Sequence, residues 1–169
     1  MLNEQQWSKV STRLTVIQIV ALAMIMGSVF FAGLIASMAD WSFIGEPIKM
    51  LNVIGAGTAL LIYGISFAAP MIFPSIPKEI PKLGGDEPSD QLKDKAVAGI
   101  LALISIETVI KYALIQGGIF LNAMVFMLEP RWVTLIIVAL GGLLMLLRFP
   151  LKFRLRGNID QRIEEWQRS

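Results

Sequence analysis

The chain has no cysteine and no histidine in its 169 residues. Lack of cysteine excludes disulfides, thiol nucleophiles and cysteine-built zinc sites. Lack of histidine removes the usual ligand of haem and zinc and the usual proton carrier near neutral pH. Charge is scarce too: 17% of residues are charged, with a formal net charge of +2. So small an imbalance offers nothing to attract a nucleic acid. No Ser-His pair, carboxylate pair, phosphate-cradling loop or metal-ligand cluster is present. These absences point away from an enzyme and imply no cofactor and no nucleic-acid partner.

What the chain has in abundance is apolar length. Hydrophobic residues make up 55% of the sequence, and the mean hydropathy is +0.66. Four runs carry no charge: 15–38, 52–73, 112–128 and 132–147. A spanning helix takes about 17–25 such residues. The last two runs are short by that measure. Phe149 lengthens the fourth, and 96–106 extends the third backward past Glu107 and Lys111. Ser37-Met38-Ala39 has the form of a signal-peptide cleavage site, but the run before it far exceeds a signal core of about 7–15 residues. A retained anchor is therefore expected. The fold class is all-α: a polytopic membrane protein with four transmembrane helices as two tandem hairpins, plus a C-terminal amphipathic helix.

Cations set the orientation. Lys9 and Arg13 precede the first run, and Lys78, Lys82, Lys93 and Lys95 lie between the second and third. Arg148, Lys152, Arg154, Arg156, Arg162 and Arg168 follow the fourth. The opposite side holds only Lys49 and Arg131. The positive-inside rule then puts both termini in the cytoplasm. Trp41 and Trp132 fall at the two outer turns, where an aromatic belt anchors a span.

Along the chain, 1–12 reads as a polar lead, and the first two helices are expected to end near Met38 and Ala69. Residues 1–73 form the lead and first hairpin. A proline-rich cytoplasmic strap covers 74–95, the second hairpin 96–150, and a basic amphipathic tail 151–169. The helical pattern from Ser89 to Leu128 would be about 60 Å long, twice the roughly 30 Å hydrocarbon core, so this helix either projects from the membrane or breaks near 96–106. In the tail, Ile159, Ile163 and Trp166 share one helical face, which suits a membrane surface or a partner.

Residues 25–32 (Ile-Met-Gly-Ser-Val-Phe-Phe-Ala) are nearly repeated at 115–122 (Ile-Gln-Gly-Gly-Ile-Phe-Leu-Asn). The match suggests a duplicated hairpin with both copies in one orientation, although apolar helices share alphabets and can match by coincidence. Ala23 and Gly27, like Ala113 and Gly117, are spaced for close helix approach, as are Gly55 with Ala59 and Gly33 with Ser37. Such faces serve either packing within one bundle or self-association. Four polar residues fall within or beside the third span: Glu107, Lys111, Gln116 and Asn122. The amides can join helices or line an ion path. Glu107 and Lys111, acid first at i and i+4, can pair with each other at the membrane interface or mark a functional site.

The stretch from Thr108 to Asn122 resembles the third helix of small uncharacterised bacterial four-helix membrane proteins. These in turn are similar to the proteolipid (c-type) hairpins of rotary ATP synthases, in which a midspan carboxylate carries the ion. Gln116 stands at that place here, and its amide cannot be deprotonated as a carboxyl can. The first helix carries only Gly27 and Gly33 in place of repeated Gly-x-Gly. Two functional expectations follow. One is a non-enzymatic structural, accessory or oligomer-forming subunit of the bacterial inner membrane, with the lipid bilayer and other membrane subunits, or itself, as partners. The other is a proteolipid-like ion-translocating subunit using Glu107 and Gln116.

Overall fold

A computed structural model describes residues 4–72 and 89–168, and regular structure among them is entirely helical. The helices are α1 (Glu4–Met38), α2 (Met50–Ile72), α3 (Ser89–Leu128), α4 (Trp132–Leu147) and α5 (Lys152–Arg168), with a single 3-10 turn at Trp41–Phe43. Three stretches are long and apolar enough to cross a membrane: Val10–Met38, Met50–Ala68 and Asp94–Leu128. Helix α4 is apolar but has 16 residues, which is about 24 Å of helix. In hydrocarbon a helix satisfies its backbone polar groups internally, which suits these Leu-, Ile- and Ala-rich runs. The bulk of the proline-rich 74–95 strap lies outside the described residues.

Helix boundaries follow local chemistry. Asp40 caps the 3-10 turn, its carboxylate accepting from the Ser42 N–H at 3.0 Å and the Ser42 hydroxyl at 2.7 Å. Those two donors hold the Asp40 carboxyl below its ordinary value. Glu129-Pro130 separates α3 from α4. Two expectations are corrected. The polar lead is already helical from Glu4, and α1 buries Val10 within it. Helix α2 continues through Pro70 to Ile72. Of the two courses open to the third helix, α3 takes the unbroken one, with 40 residues and no interruption at 96–106.

The chain divides into two compact units. One gathers α1 up to Val20, α3 up to Thr108, and α5. Its core interleaves three amphipathic stripes: Val10, Leu14 and Ile17; Val97, Ile100, Leu101 and Ile104; and Leu155, Ile159 and Ile163. Leu155, Ile159 and Ile163 of the tail are thus covered by the chain itself, a correction to the expectation that this face lies on a membrane or partner. The physical reason is that residues 10–17 of α1 and 97–104 of α3 present matching apolar stripes. Gln18 adds a tie at the start of the α5 segment, donating to the Pro150 carbonyl at 2.9 Å.

The other unit holds Ala21–Ala69 and Val109–Phe149. Here Gly27 faces Gln116 and Phe31 faces Phe120 (ring centroids 4.5 Å apart), so α1 and α3 run parallel. Asn52 bonds Thr134 and Ser66 bonds Arg148, so α2 and α4 run parallel as well. Contacts of Gly55 with Asn122 and Tyr63 with Gly118 make α2 and α3 antiparallel. Its core includes Ile25, Ala59, Tyr63, Tyr112, Ile115, Ile119 and Met145, with Ile35, Ala123 and Phe126 as a second cluster.

Candidate functional site

Within the second unit, polar side chains are arranged in tiers between the apolar helices. In the middle tier, Tyr63 of α2 enters a notch made by two glycines. A Cβ at Gly118 would lie 2.5 Å from Tyr63 Cε1, and one at Gly141 would overlap the Tyr63 hydroxyl and lie 2.6 Å from Ile119 Cγ1. The Tyr63 hydroxyl donates to the Ile137 carbonyl at 3.2 Å. Asn122 is fully buried on α3, and its Nδ2 donates to the carbonyls of Gly55 and Gly118, each at 3.1 Å. Its Oδ1 is buried without a partner. A Cβ at Gly55 would meet Val125 Cγ2 at 3.0 Å, which is why α2 can approach α3 closely there.

A second tier closes the ends of α2 and α4 nearest Phe149. Pro70 has no N–H for the Ser66 carbonyl one helical turn back. Arg148 supplies the donor instead: its Nη1 reaches the Ser66 carbonyl at 3.1 Å and Oγ at 3.0 Å. The guanidinium also sits 3.8 Å from the centroid of the Phe67 ring, a favourable cation–π placement. Tyr112 donates to the Met145 carbonyl at 2.8 Å, joining α3 to α4.

The third tier joins the two turns at the opposite end of this unit. Arg131 is 2% exposed. Its Nη2 meets Glu46 Oε2 at 2.8 Å, its Nε the Pro47 carbonyl at 3.0 Å, and its Nη1 the Pro130 carbonyl at 2.9 Å. Asn52, also fully buried, donates to the Glu129 carbonyl at 3.0 Å and to Thr134 Oγ1 at 3.3 Å, and accepts from the Lys49 N–H at 3.2 Å. The buried side chains of Arg131 and Asn52 thereby bond across two loops and two helices.

In the first unit, Glu107 is bound by Arg162 of α5, Oε2 to Nη2 at 2.9 Å. Both side chains are largely enclosed, at 11% and 20% exposure. Arg162 Nη1 is buried without a partner. Helix spacing alone could not bring in Arg162, which lies 55 residues away.

The residues singled out from sequence divide into two sets. Asn122, Gly55 and Ala59 lie in the packed interior. Gly27 is exposed, and a Cβ built there would meet Gln116 Nε2 at 3.8 Å, an ordinary contact. Gln116 itself is half-buried, and Lys111 likewise. Ala23, Gly33, Ala113 and Gly117 face outward, and nothing lies within 4 Å of a Cβ built at Gly33 or Gly117. As packing positions inside the chain, those four are corrected. The close-approach glycine of α3 is Gly118, one residue on, because Tyr63 enters from that side. Sequence reasoning also missed Gly141, Ser66, Arg148 and the bonding of Arg131. The one available signal for Arg131 was that so few cations lie on its side of the chain.

No family model matches this chain, and neither a curated protein nor a solved structure matches it.

Proposed function

We propose that this chain is a non-enzymatic four-span protein of the bacterial inner membrane that serves as a structural, accessory or oligomer-forming subunit. The observation that carries this reading is the outward set of small residues. Ala23, Gly33, Ala113 and Gly117 are exposed, among exposed Val29, Phe30 and Val109. Small residues on an apolar helix face let a second helix approach closely in lipid. Within the chain, by contrast, the tyrosines, asparagines and Arg148 bond one helix to another. That use suits a scaffold better than a conduit. The parallel courses of α1 with α3 and of α2 with α4 are the arrangement expected of two hairpins in one orientation. The ion-translocating alternative has less support, because Glu107 is engaged by Arg162 and Gln116 cannot ionise.

Crosslinking in mild detergent over a range of protein concentrations tests the reading. The expected result is a discrete oligomer that Gly117→Leu or Gly33→Leu weakens without loss of helicity, since both positions are exposed and a Cβ at either meets no neighbour inside the chain. A lone monomer at every concentration, with no other subunit copurifying from native membranes, would remove it.

A further inference from the structure

The third tier borders an open pocket of about 210 Å³ lined by Glu46, Lys49, Leu128, Glu129, Pro130 and Arg131. Two cations face two carboxylates, so a guest of zero net charge leaves the lining balanced. The two pairs differ. Arg131 and Glu46 are closed on each other at 2.8 Å, with two further carbonyls on the guanidinium. Lys49 Nζ and Glu129 Oε1 stand 3.8 Å apart, too far for a hydrogen bond. Glu129 Oε2 is buried and receives no donor. An anionic acceptor lacking a donor therefore sits beside an ammonium lacking a close acceptor. Around them the surface is apolar and aromatic: Leu128 is 70% exposed, Met50 78% and Trp132 59%. Such a rim, with tryptophan at headgroup level, is what acyl chains and an interface meet.

We infer that this pocket is a binding site for a zwitterionic phospholipid headgroup of the phosphoethanolamine type. The primary ammonium pairs with the partly exposed Glu129 carboxylate, the phosphate accepts from Lys49, and the acyl chains run over Leu128 and Met50. The inference rests on the membrane reading above. Phosphatidylcholine is the discriminating comparison, because it keeps the phosphate and the positive charge but has no N–H to donate.

The test uses the full chain reconstituted into vesicles. Flotation with the vesicles is measured first, and failure to float would refute the membrane reading itself. Floating protein is then extracted in mild detergent, and retained lipid is measured by native mass spectrometry. Phosphatidylethanolamine should be retained about tenfold over phosphatidylcholine, the worth of one charge-assisted hydrogen bond. Glu129→Gln should reduce that preference several-fold while leaving helicity and melting in phosphatidylcholine unchanged. Lys49→Gln should lower retention of both lipids and keep their ratio. Equal retention of the two lipids, the result if only water reaches Glu129, overturns the site. So does a preference for phosphatidylglycerol, or competition by soluble O-phosphoethanolamine as strong as by the lipid.

Discussion

At the scale of single residues, the tightest fit in the second unit is Tyr63 between Gly118 and Gly141. A methyl group at Gly141 has no room, because both the tyrosine ring and the Ile119 side chain stand where it would go. Overpacking of this kind costs about 1–3 kcal/mol. Gly141→Ala should therefore lower the melting temperature in detergent, whereas Gly142→Ala, with nothing near its Cβ, should be neutral or slightly stabilising. Equal melting of the two variants would contradict the notch. The register of this site was only half legible in sequence. The Gly117-Gly118 pair is visible, but which of the two faces α2 depends on helix rotation, and spacing to Ala113 pointed to the wrong one. Asn122 was legible as a residue needing a partner. That the partner is the Gly55 carbonyl was not, since a backbone acceptor has no side-chain signature.

At the scale of helices, Pro70 and Arg148 act as one device. Proline removes a donor from α2, and the arginine after α4 restores one to the Ser66 carbonyl. This explains why α2 does not stop at Ala69, as proline arithmetic alone suggests. The two residues should be coupled. Arg148→Ala should destabilise by about 1–3 kcal/mol, the cost of an unpaired buried polar group. In a Pro70→Ala background, where the helix supplies its own N–H, the same change should cost measurably less. Additive effects in this double-mutant cycle, read by thermal or denaturant melting in detergent, would refute the coupling. The existence and order of α1 to α4 were legible, because long charge-free runs separated by Gly, Pro and charged residues leave little choice. The destination of α5 was not. Its stripe of Ile159 and Ile163 fits a lipid surface as well as it fits the stripes of Val10–Ile17 and Val97–Ile104 that cover it.

At the scale of the whole molecule, the asymmetry of Lys and Arg makes a prediction independent of packing. Single cysteines placed in this cysteine-free chain at Ser8 and at Gly157 should resist an impermeant thiol reagent added outside intact cells. One placed at Gly45 should react, and reaction at position 157 from outside would reverse the proposed orientation. Each position is exposed, so protection would report the membrane rather than burial in the chain.

The amino-acid sequence alone determined that the chain is helical and suited to lipid, because apolar run length and the cost of unsatisfied backbone groups are local properties. It also determined which chemistries are missing, because absent residue types cannot be restored by folding. Only the tertiary structure decided which small residues are buried and which are presented outward, that Arg162 reaches Glu107, and that Arg131 and Arg148 are anchored on carbonyls of distant turns. Those outcomes depend on helix rotation and on backbone acceptors brought together from far along the chain, and neither leaves a trace in residue order.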